Sequence, residues 1–528
     1  MLSSLARPIP APGFPGWARD VQPRSATWSW LASRYFTLTV LTLALPFICL
    51  AGRPLFGDVW WVMASGRLLV ERGSIPQSEP FTFAPHVDQY FDVQWLAQLA
   101  YYLPYHFFGL EGVAVFNAAA VTLTFALLLR IAWERSRNMA AATLSVLFAE
   151  LTALWFLHPR AQTLAFATFA ATYWLLSRRW AGLREVVALA AVQAVWSNLH
   201  GSFFMGPALT AMLLTAEVAE AVLAASWRGA LSGRRVRFLC LALGAQLLGT
   251  LATPYGPGIY TYLLKFSVDP IIREHISEWL PTTAGDWPGA EFFASAVLAV
   301  AVIARARTRV AVADVLMLGL FGVLGVQAYR NIPWWGLAAS PILAYYLAHL
   351  SMPRLLARVG GYLVTTTPRV RGNAIRGLLL ALVLIGALPW ARAANPSLPD
   401  SQRSMIAAEY PEAATNFLAA QPYGGRLFSE HPWGAYIDWW LWPRYQPMID
   451  PSIEVHPTDV WLDILTLNQG HASWEELADR YAVDVMMLRL ETQRLLIEAV
   501  ERSPRWKAVY RDQQAVIYVR AAQQEQPV

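Results

Sequence analysis

Apolar residues gather into runs at 35–51, 112–133, 139–157, 161–176, 186–196, 203–223, 238–251, 292–304, 310–326, 334–350 and 378–390. A helix crossing a bilayer needs about 20 mostly apolar residues, because its backbone amides find hydrogen-bond partners only within the helix. The pattern predicts a polytopic α-helical membrane protein with about eleven transmembrane helices. Several runs are short, which calls for tilted or interrupted helices.

Polar character alternates between the runs. Arg135 and Arg137, then Arg178, Arg179 and Arg184, then Arg228, Arg234, Arg235 and Arg237, then Arg305, Arg307 and Arg309, then Arg354, Arg358, Arg369 and Arg371 occupy every second loop. The positive-inside rule makes those loops, and the arginine-bearing tail 1–34, cytoplasmic in a bacterial-type inner membrane. The first run starts too far into the chain, and lacks a small-residue cleavage pattern, to be a removed signal peptide.

Two longer segments fall on the extracytoplasmic side. In 53–110, Trp60, Trp61, Leu68 and Leu69, and later Trp95, Leu96, Leu99 and Leu103, recur at helical spacing. They predict two interfacial helices joined by the turn-rich stretch 73–85, with the Trp pair at headgroup depth. A transmembrane domain over 35–391 and a linker over 392–404 then lead to 405–520, where transmembrane character is lost. Helices at 407–419 and 474–481 and strands at 483–488 and 514–519 predict a small C-terminal α/β domain, ending in a frayed tail 521–528.

Composition narrows the class. The chain is 56% hydrophobic and 15% charged, with mean hydropathy +0.36, which excludes a soluble enzyme, a disordered chain and a disulfide scaffold. Cys49 and Cys240 both lie in apolar runs, where they cannot staple an external domain. The net charge of +5 comes from arginines in short loops, so it reports topology and implies no nucleic-acid partner.

The first candidate for chemistry is Asp58, in Gly57-Asp58-Val59-Trp60-Trp61. An acid just outside the first span is reachable from both a lipid headgroup and an aqueous acceptor; it is equally suited to cap the helix that follows. A many-spanning core, a first external loop opening on an acid, interfacial helices within it and an external domain after the last span together resemble the C-type glycosyltransferases. These polytopic enzymes draw sugars from polyprenyl phosphate carriers and include protein mannosyltransferases, aminoarabinose transferases and oligosaccharyltransferase catalytic subunits. The resemblance implies that Asp58 is a catalytic base or a ligand of metal and acceptor. It also implies a polyprenyl-phosphate-linked sugar donor, membrane lipid contacts and a lipid, glycan or protein acceptor. Where paired acids are expected the chain has Glu79, Asp88 or Asp92 but no adjacent pair, which leaves a divalent cation such as magnesium or manganese open.

The reaction explains the residue types. An acceptor hydroxyl must lose a proton as it attacks the anomeric carbon, and one carboxylate suffices as base. The departing phosphate gains charge that cations or donors must meet. Outward span ends supply His158-Pro159-Arg160, the segment 198–201 with His200, Lys265, Arg273-Glu274-His275, Glu278-Trp279 and Tyr329-Arg330-Asn331. Arg160 and Arg330 run against the charge bias of that side and suit donor phosphate, or else snorkel to headgroups. His158 and His200 are further phosphate candidates, although an interfacial histidine is more often structural and no metal-binding spacing accompanies them. Glu79, Asp92 and Glu278 are candidates for acceptor contact or a second acid.

Glu150 interrupts an apolar run, and an acid within the membrane is a functional candidate by default. The aromatic stretch His431 to Trp440 suits either carbohydrate stacking or a domain core. The expected activity is a membrane glycosyltransferase with Asp58 as general base. The alternatives are a transporter or lipid flippase, which should show repeated halves, and a non-catalytic envelope-assembly scaffold, in which Asp58, Arg160 and Arg330 need share no cleft.

Overall fold

A computed structural model describes residues 35–87, 89–178, 182–223, 233–268, 276–350, 370–422, 424–452 and 455–521, without the side chains of 266–268, 400 and 401. The tails 1–34 and 522–528, Asp88 and the Arg273-Glu274-His275 stretch lie outside these residues, as do Arg179, Arg228, Arg354, Arg358 and Arg369.

Every apolar run forms a helix or part of one. The helices are α1 (Phe36–Ala51), α2 (Val59–Arg72), α3 (Trp95–Ser136), α4 (Met139–Ala153), α5 (Ala161–Leu176), α6 (Leu183–Trp196) and α7 (Met205–Leu223), then α8 (Arg234–Thr250), α9 (Gly258–Val268), α10 (Trp287–Ala306), α11 (Val312–Gln327), α12 (Ile332–Ala348) and α13 (Val370–Gly386). Among the described residues four helical stretches are long and apolar enough to cross a membrane: Trp95–Ser136, Met139–Phe156, Gly201–Leu223 and Trp287–Ala306. Helix starts follow local chemistry: Asn138 accepts from the Ala141 amide at 3.2 Å and Asp286 from the Gly289 amide at 2.9 Å.

The second predicted interfacial helix and the second apolar run are one element, α3, broken at Gly109 where φ is +71°. Helix α2 lies against its first part so closely that a Cβ on Gly66 would stand 2.3 Å from the Gln98 carbonyl oxygen. Trp60 and Trp61 do not face outward as the amphipathic pattern suggested. They are 0% and 7% exposed, because the C-terminal domain covers them: the Trp60 ring meets Tyr436 at 5.1 Å and Tyr410 at 5.7 Å, both edge-on.

That domain holds helices α14 (Glu412–Ala419), α15 (His431–Trp440), α16 (Thr458–Asn468), α17 (Trp474–Arg480) and α18 (Arg494–Glu501) around strands β1 (Gly425–Ser429), β2 (Tyr445–Pro447), β3 (Val485–Arg489), β4 (Trp506–Arg511) and β5 (Ala515–Arg520). The sheet order is β2-β1-β3-β5-β4. Strands β2, β1 and β3 are parallel, with Leu427 opposite both Pro447 and Val485, whereas β5 and β4 are antiparallel additions. Residues Val485 to Leu488 are all 0% exposed, as expected of a central strand covered on both faces. The chain entering the domain pairs with the loop ahead of Asp58: Leu55 donates to the Met405 carbonyl at 2.7 Å and Ala407 to the Leu55 carbonyl at 3.2 Å.

Candidate active site

Asp58 occupies the N-cap position of α2, yet its side chain bonds none of the helix amides. Its carboxylate turns instead to Arg160, with Nη2 3.1 Å from Oδ2. Gly57 makes this turn possible. Its φ is +76° and a Cβ there would touch the His158 ring at 3.4 Å, while its amide donates to the Tyr410 hydroxyl at 2.7 Å.

Arg160 is buried at the start of α5 and carries a second acid. Its Nη1 and Nη2 donate to the two carboxylate oxygens of Glu278 at 2.6 and 2.9 Å, the parallel fork that guanidinium and carboxylate favour. The backbone that presents it is held from three directions. Tyr101 donates to the Arg160 carbonyl at 3.2 Å, Asn117 to the Leu157 carbonyl at 2.9 Å and Thr163 to the His158 carbonyl at 2.7 Å.

Burial acts to lower the basicity of Arg160, but Glu278 and Asp58 outweigh it and hold the guanidinium above its ordinary value. Burial acts to raise Glu278, and Arg160 overcomes it, bringing that carboxyl down to about 2. The His158 imidazole is lowered to about 4, by burial first and then by Arg160. His158 Nε2 faces Arg160 Nη1 at 3.4 Å, so Nε2 is the acceptor and Nδ1 carries the proton; Nδ1 is buried with no partner among the described residues.

Arg330 joins the same group. Its guanidinium lies 4.3 Å over the Trp279 ring, and its basicity is lowered by burial and by Arg160 while Glu278 and Asp58 act to raise it. His200 is lowered well below its ordinary value by burial and by Arg330 and Arg160. The Ser202 amide donates to His200 Nδ1 at 3.0 Å, which places its proton on Nε2. Asp58, His158, Arg160, His200, Glu278 and Arg330 are therefore one cluster, drawn from five separate segments.

Glu79 and Asp92 are engaged elsewhere. Glu79 accepts from the Phe81 amide at 2.9 Å, the Thr82 amide at 2.7 Å and the Thr82 hydroxyl at 2.6 Å. Asp92 accepts from Gln98 at 2.8 Å, and its amide donates to the Tyr255 hydroxyl at 2.7 Å. Glu150 is 6% exposed in α4, and neither of its carboxyl oxygens has a partner among the described residues.

Arg53 is an addition that the sequence pattern did not single out. Its guanidinium lies 4.9 Å over the Phe56 ring, which packs 4.6 Å from His158. The available signal was an arginine directly after the first span, on the side where cations are otherwise few.

No family model matches the chain, and no curated protein matches it by sequence. Solved structures do match. The crystal structure of ArnT from Cupriavidus metallidurans bound to undecaprenyl phosphate is 14% identical, with a TM-score of 0.53 over 95% of this chain and 100% of that one. The apo oligosaccharyltransferase of Archaeoglobus fulgidus is 13% identical, with a TM-score of 0.51 over 94% of this chain and 75% of that one. The chain has the C-type glycosyltransferase fold. It is a multipass membrane protein of that architecture, with a small C-terminal sheet domain.

Within this fold the two acids of the cluster do not fit a divalent cation. The Arg160 guanidinium stands between Asp58 and Glu278 and bonds both, and among the described residues no group of three or more His, Cys, Asp or Glu side chains gathers to complete a ligand set.

Proposed function

We propose that the protein is a membrane glycosyltransferase that moves a sugar from a polyprenyl-phosphate donor to a hydroxyl acceptor on the extracytoplasmic face, with Asp58 as general base. The observation that carries this reading is the Asp58–Arg160–Glu278 bridge, which ties the acid of the first loop to a cation and a second acid from distant segments. An inert scaffold has no need of that convergence. The fold shared with an ArnT structure that holds undecaprenyl phosphate supports a lipid-phosphate donor.

Arg160 takes Asp58 Oδ2 and leaves Oδ1 for the acceptor. As the acceptor oxygen bonds the anomeric carbon, its proton passes to Oδ1. The bond from that carbon to the phosphate oxygen breaks, and its electron pair leaves with the polyprenyl phosphate. Arg53, Arg160 and Arg330 bring three positive charges and Asp58 and Glu278 two negative ones, a balance of plus one for a phosphodiester that carries one negative charge. Arg330 and Arg53 meet the phosphate oxygens as charge grows on them, and the neutral His158 and His200 add N–H donors without adding charge.

The test is transfer of tritiated sugar from undecaprenyl-phosphate-linked donors by the reconstituted protein. Asp58→Asn is expected to lower turnover by about 100-fold or more while still binding undecaprenyl phosphate. Unchanged turnover in that variant would remove Asp58 as the base.

A further inference from the structure

Helices α3, α5, α7, α8 and α11 meet at the end of the bundle away from Asp58, where the arginine-bearing loops begin. There they enclose a cavity whose wall includes Arg135, Tyr173, Glu217, Glu220, Arg235 and Asp314. Glu217 and Glu220 stand three apart and so share one face of α7. The cavity leaves about 40 Å³ open to the centres of water-sized groups, room for about three. Helix α5 has 16 residues and spans about 24 Å, so this cavity and the Arg160 cluster at the opposite end of the same helix are separate sites.

Part of the wall is already matched. Arg135 pairs with one oxygen of Asp314, and Tyr346 donates to the other at 2.9 Å. Arg235 Nη2 donates to the Leu176 carbonyl at 2.6 Å, which ties the start of α8 to the end of α5. The acids of α7 are less well served. Glu217 Oε1 lies 3.9 Å from Arg235 Nε, beyond hydrogen-bond length. Glu220 accepts through Oε1, from the Val312 amide at 3.2 Å, and its Oε2 takes no bond among the described residues. Tyr173 is 3% exposed, and its hydroxyl has no hydrogen-bond partner among the described residues. The Glu217 side chain is 24% exposed, so the acid stands at the mouth of the cavity and the tyrosine within.

Two arginines and three acids leave the described wall with one negative charge in excess. That excess and the open acceptors call for a small monovalent cation rich in hydrogens. A bare metal ion is a poor match, because among the described residues no group of three or more His, Cys, Asp or Glu side chains gathers around one. A primary ammonium brings one positive charge and three N–H donors. Three acceptors await it: the Glu217 carboxylate, Glu220 Oε2 and the Tyr173 oxygen. With the two carbons behind it, the group has the size that the cavity admits, whereas a trimethylammonium is bulkier and has no N–H to give.

We propose that this cavity binds the aminoethyl tip of a phosphatidylethanolamine head group from the leaflet opposite Asp58. Lipid is the carrier because the surrounding helices turn apolar side chains outward here: Val222 and Leu223 of α7 are 58% and 74% exposed, and Val315 of α11 is 56% exposed. This inference stands apart from the transferase reading.

The test is native mass spectrometry of the delipidated full chain in detergent micelles, titrated with dioleoyl lipids that differ only in the head group. These are phosphatidylethanolamine, its N-methyl and N,N-dimethyl forms, phosphatidylcholine and phosphatidylglycerol. Wild type is expected to bind phosphatidylethanolamine about 10-fold more tightly than phosphatidylcholine, with the methylated forms in order between them. Glu217→Gln combined with Glu220→Gln removes the preference while keeping an oxygen for the Val312 amide, and Tyr173→Phe reduces it. Melting temperatures of the variants in phosphatidylcholine micelles are expected to match wild type and show that they are folded. The head-group series is read on wild type alone, so it decides the matter even where a variant does not fold. Equal binding of phosphatidylethanolamine and phosphatidylcholine, tighter binding of phosphatidylglycerol than of either, or a preference that survives the double substitution overturns the proposal. Displacement of the lipid by free ethanolamine at the same concentration overturns lipid as the carrier of the ammonium.

Discussion

Arg160 and Glu278 lie 118 residues apart in the chain and meet through two parallel hydrogen bonds of 2.6 and 2.9 Å. Arg160 is 7% exposed at its side chain, so its charge depends on Glu278 and Asp58 for compensation. Glu278→Ala leaves a buried guanidinium with half its partners, and destabilisation on the order of 3 kcal/mol is expected. Thermal unfolding of the purified protein checks this. Arg160→Lys keeps the charge but not the fork that spans two acids, and turnover is expected to fall at least 10-fold although the variant folds.

Acid should expose the same bond. The Glu278 carboxyl is held at about 2 in the folded protein, below its ordinary 4.5. A depressed carboxyl contributes stability above its unfolded value and loses it as pH falls toward the folded one. Stability is therefore expected to drop between about pH 4.5 and 2, and Glu278→Gln to flatten that limb. A wild-type limb matched by the variant would show that Glu278 is not its source.

The opposite sign is expected from the C-terminal domain. Asp438 and Asp450 are both 0% exposed, and both Asp438 carboxyl oxygens and Asp450 Oδ2 lack a hydrogen-bond partner among the described residues. Burial, with Glu79 close by, raises Asp450 to about 8, and burial with Asp450 raises Asp438. Between the unfolded value near 4 and the folded value the native state binds more protons than the unfolded chain, so stability falls as pH rises through that window. Asp450→Asn is expected to reduce the slope between about pH 6 and 8, with Asp438 contributing the remainder, read from melting temperatures.

Trp60 is the wedge between α2 and the C-terminal domain, 0% exposed against Tyr410 and Tyr436. Trp60→Ala is expected to cost about 3–5 kcal/mol. Limited proteolysis should then cut more readily between the domain and the membrane part, since this ring is one of the contacts that join the two. Tyr410→Phe strips the hydroxyl that takes the Gly57 amide and costs about 1 kcal/mol, with turnover falling further because Asp58 is the next residue.

Chelation offers a separate check on the Arg160 bridge. With a guanidinium between the acids, sugar transfer in excess EDTA is expected to equal that with added magnesium or manganese. Loss of transfer on chelation, restored by either metal, would overturn the view that Arg160 supplies the charge.

The helical core was legible because its signal is local. Membrane-spanning helices are written as consecutive apolar residues, so the runs at 161–176 and 139–157 correspond to α5 and to α4 with its last turn, with boundaries off by a few residues at most. The position of Asp58 was legible for the same reason, as an acid directly after the first run. Strands β3 and β5 showed as apolar runs in a polar context. Strand β2 has three residues, too few for any pattern, and β4 alternates buried and exposed positions too weakly to stand out.

What the chain order alone did not decide is which residues meet. Trp60 and Trp61 carry the same amphipathic pattern whether lipid or protein covers them, and only the docked α15 shows that protein does. Arg160 reads from the sequence as a phosphate ligand or a snorkelling cation, and neither reading names the acids it meets. Tertiary packing sets it within 2.6 Å of Glu278, 118 residues away. The stretch His431 to Trp440 suits a domain core as well as a binding face; its seating on α2, with Tyr436 against Trp60, comes from the tertiary structure. Local patterns record how each segment escapes or seeks water, whereas pairings across the chain depend on how the segments fit together, and that fit is a property of the assembled surfaces.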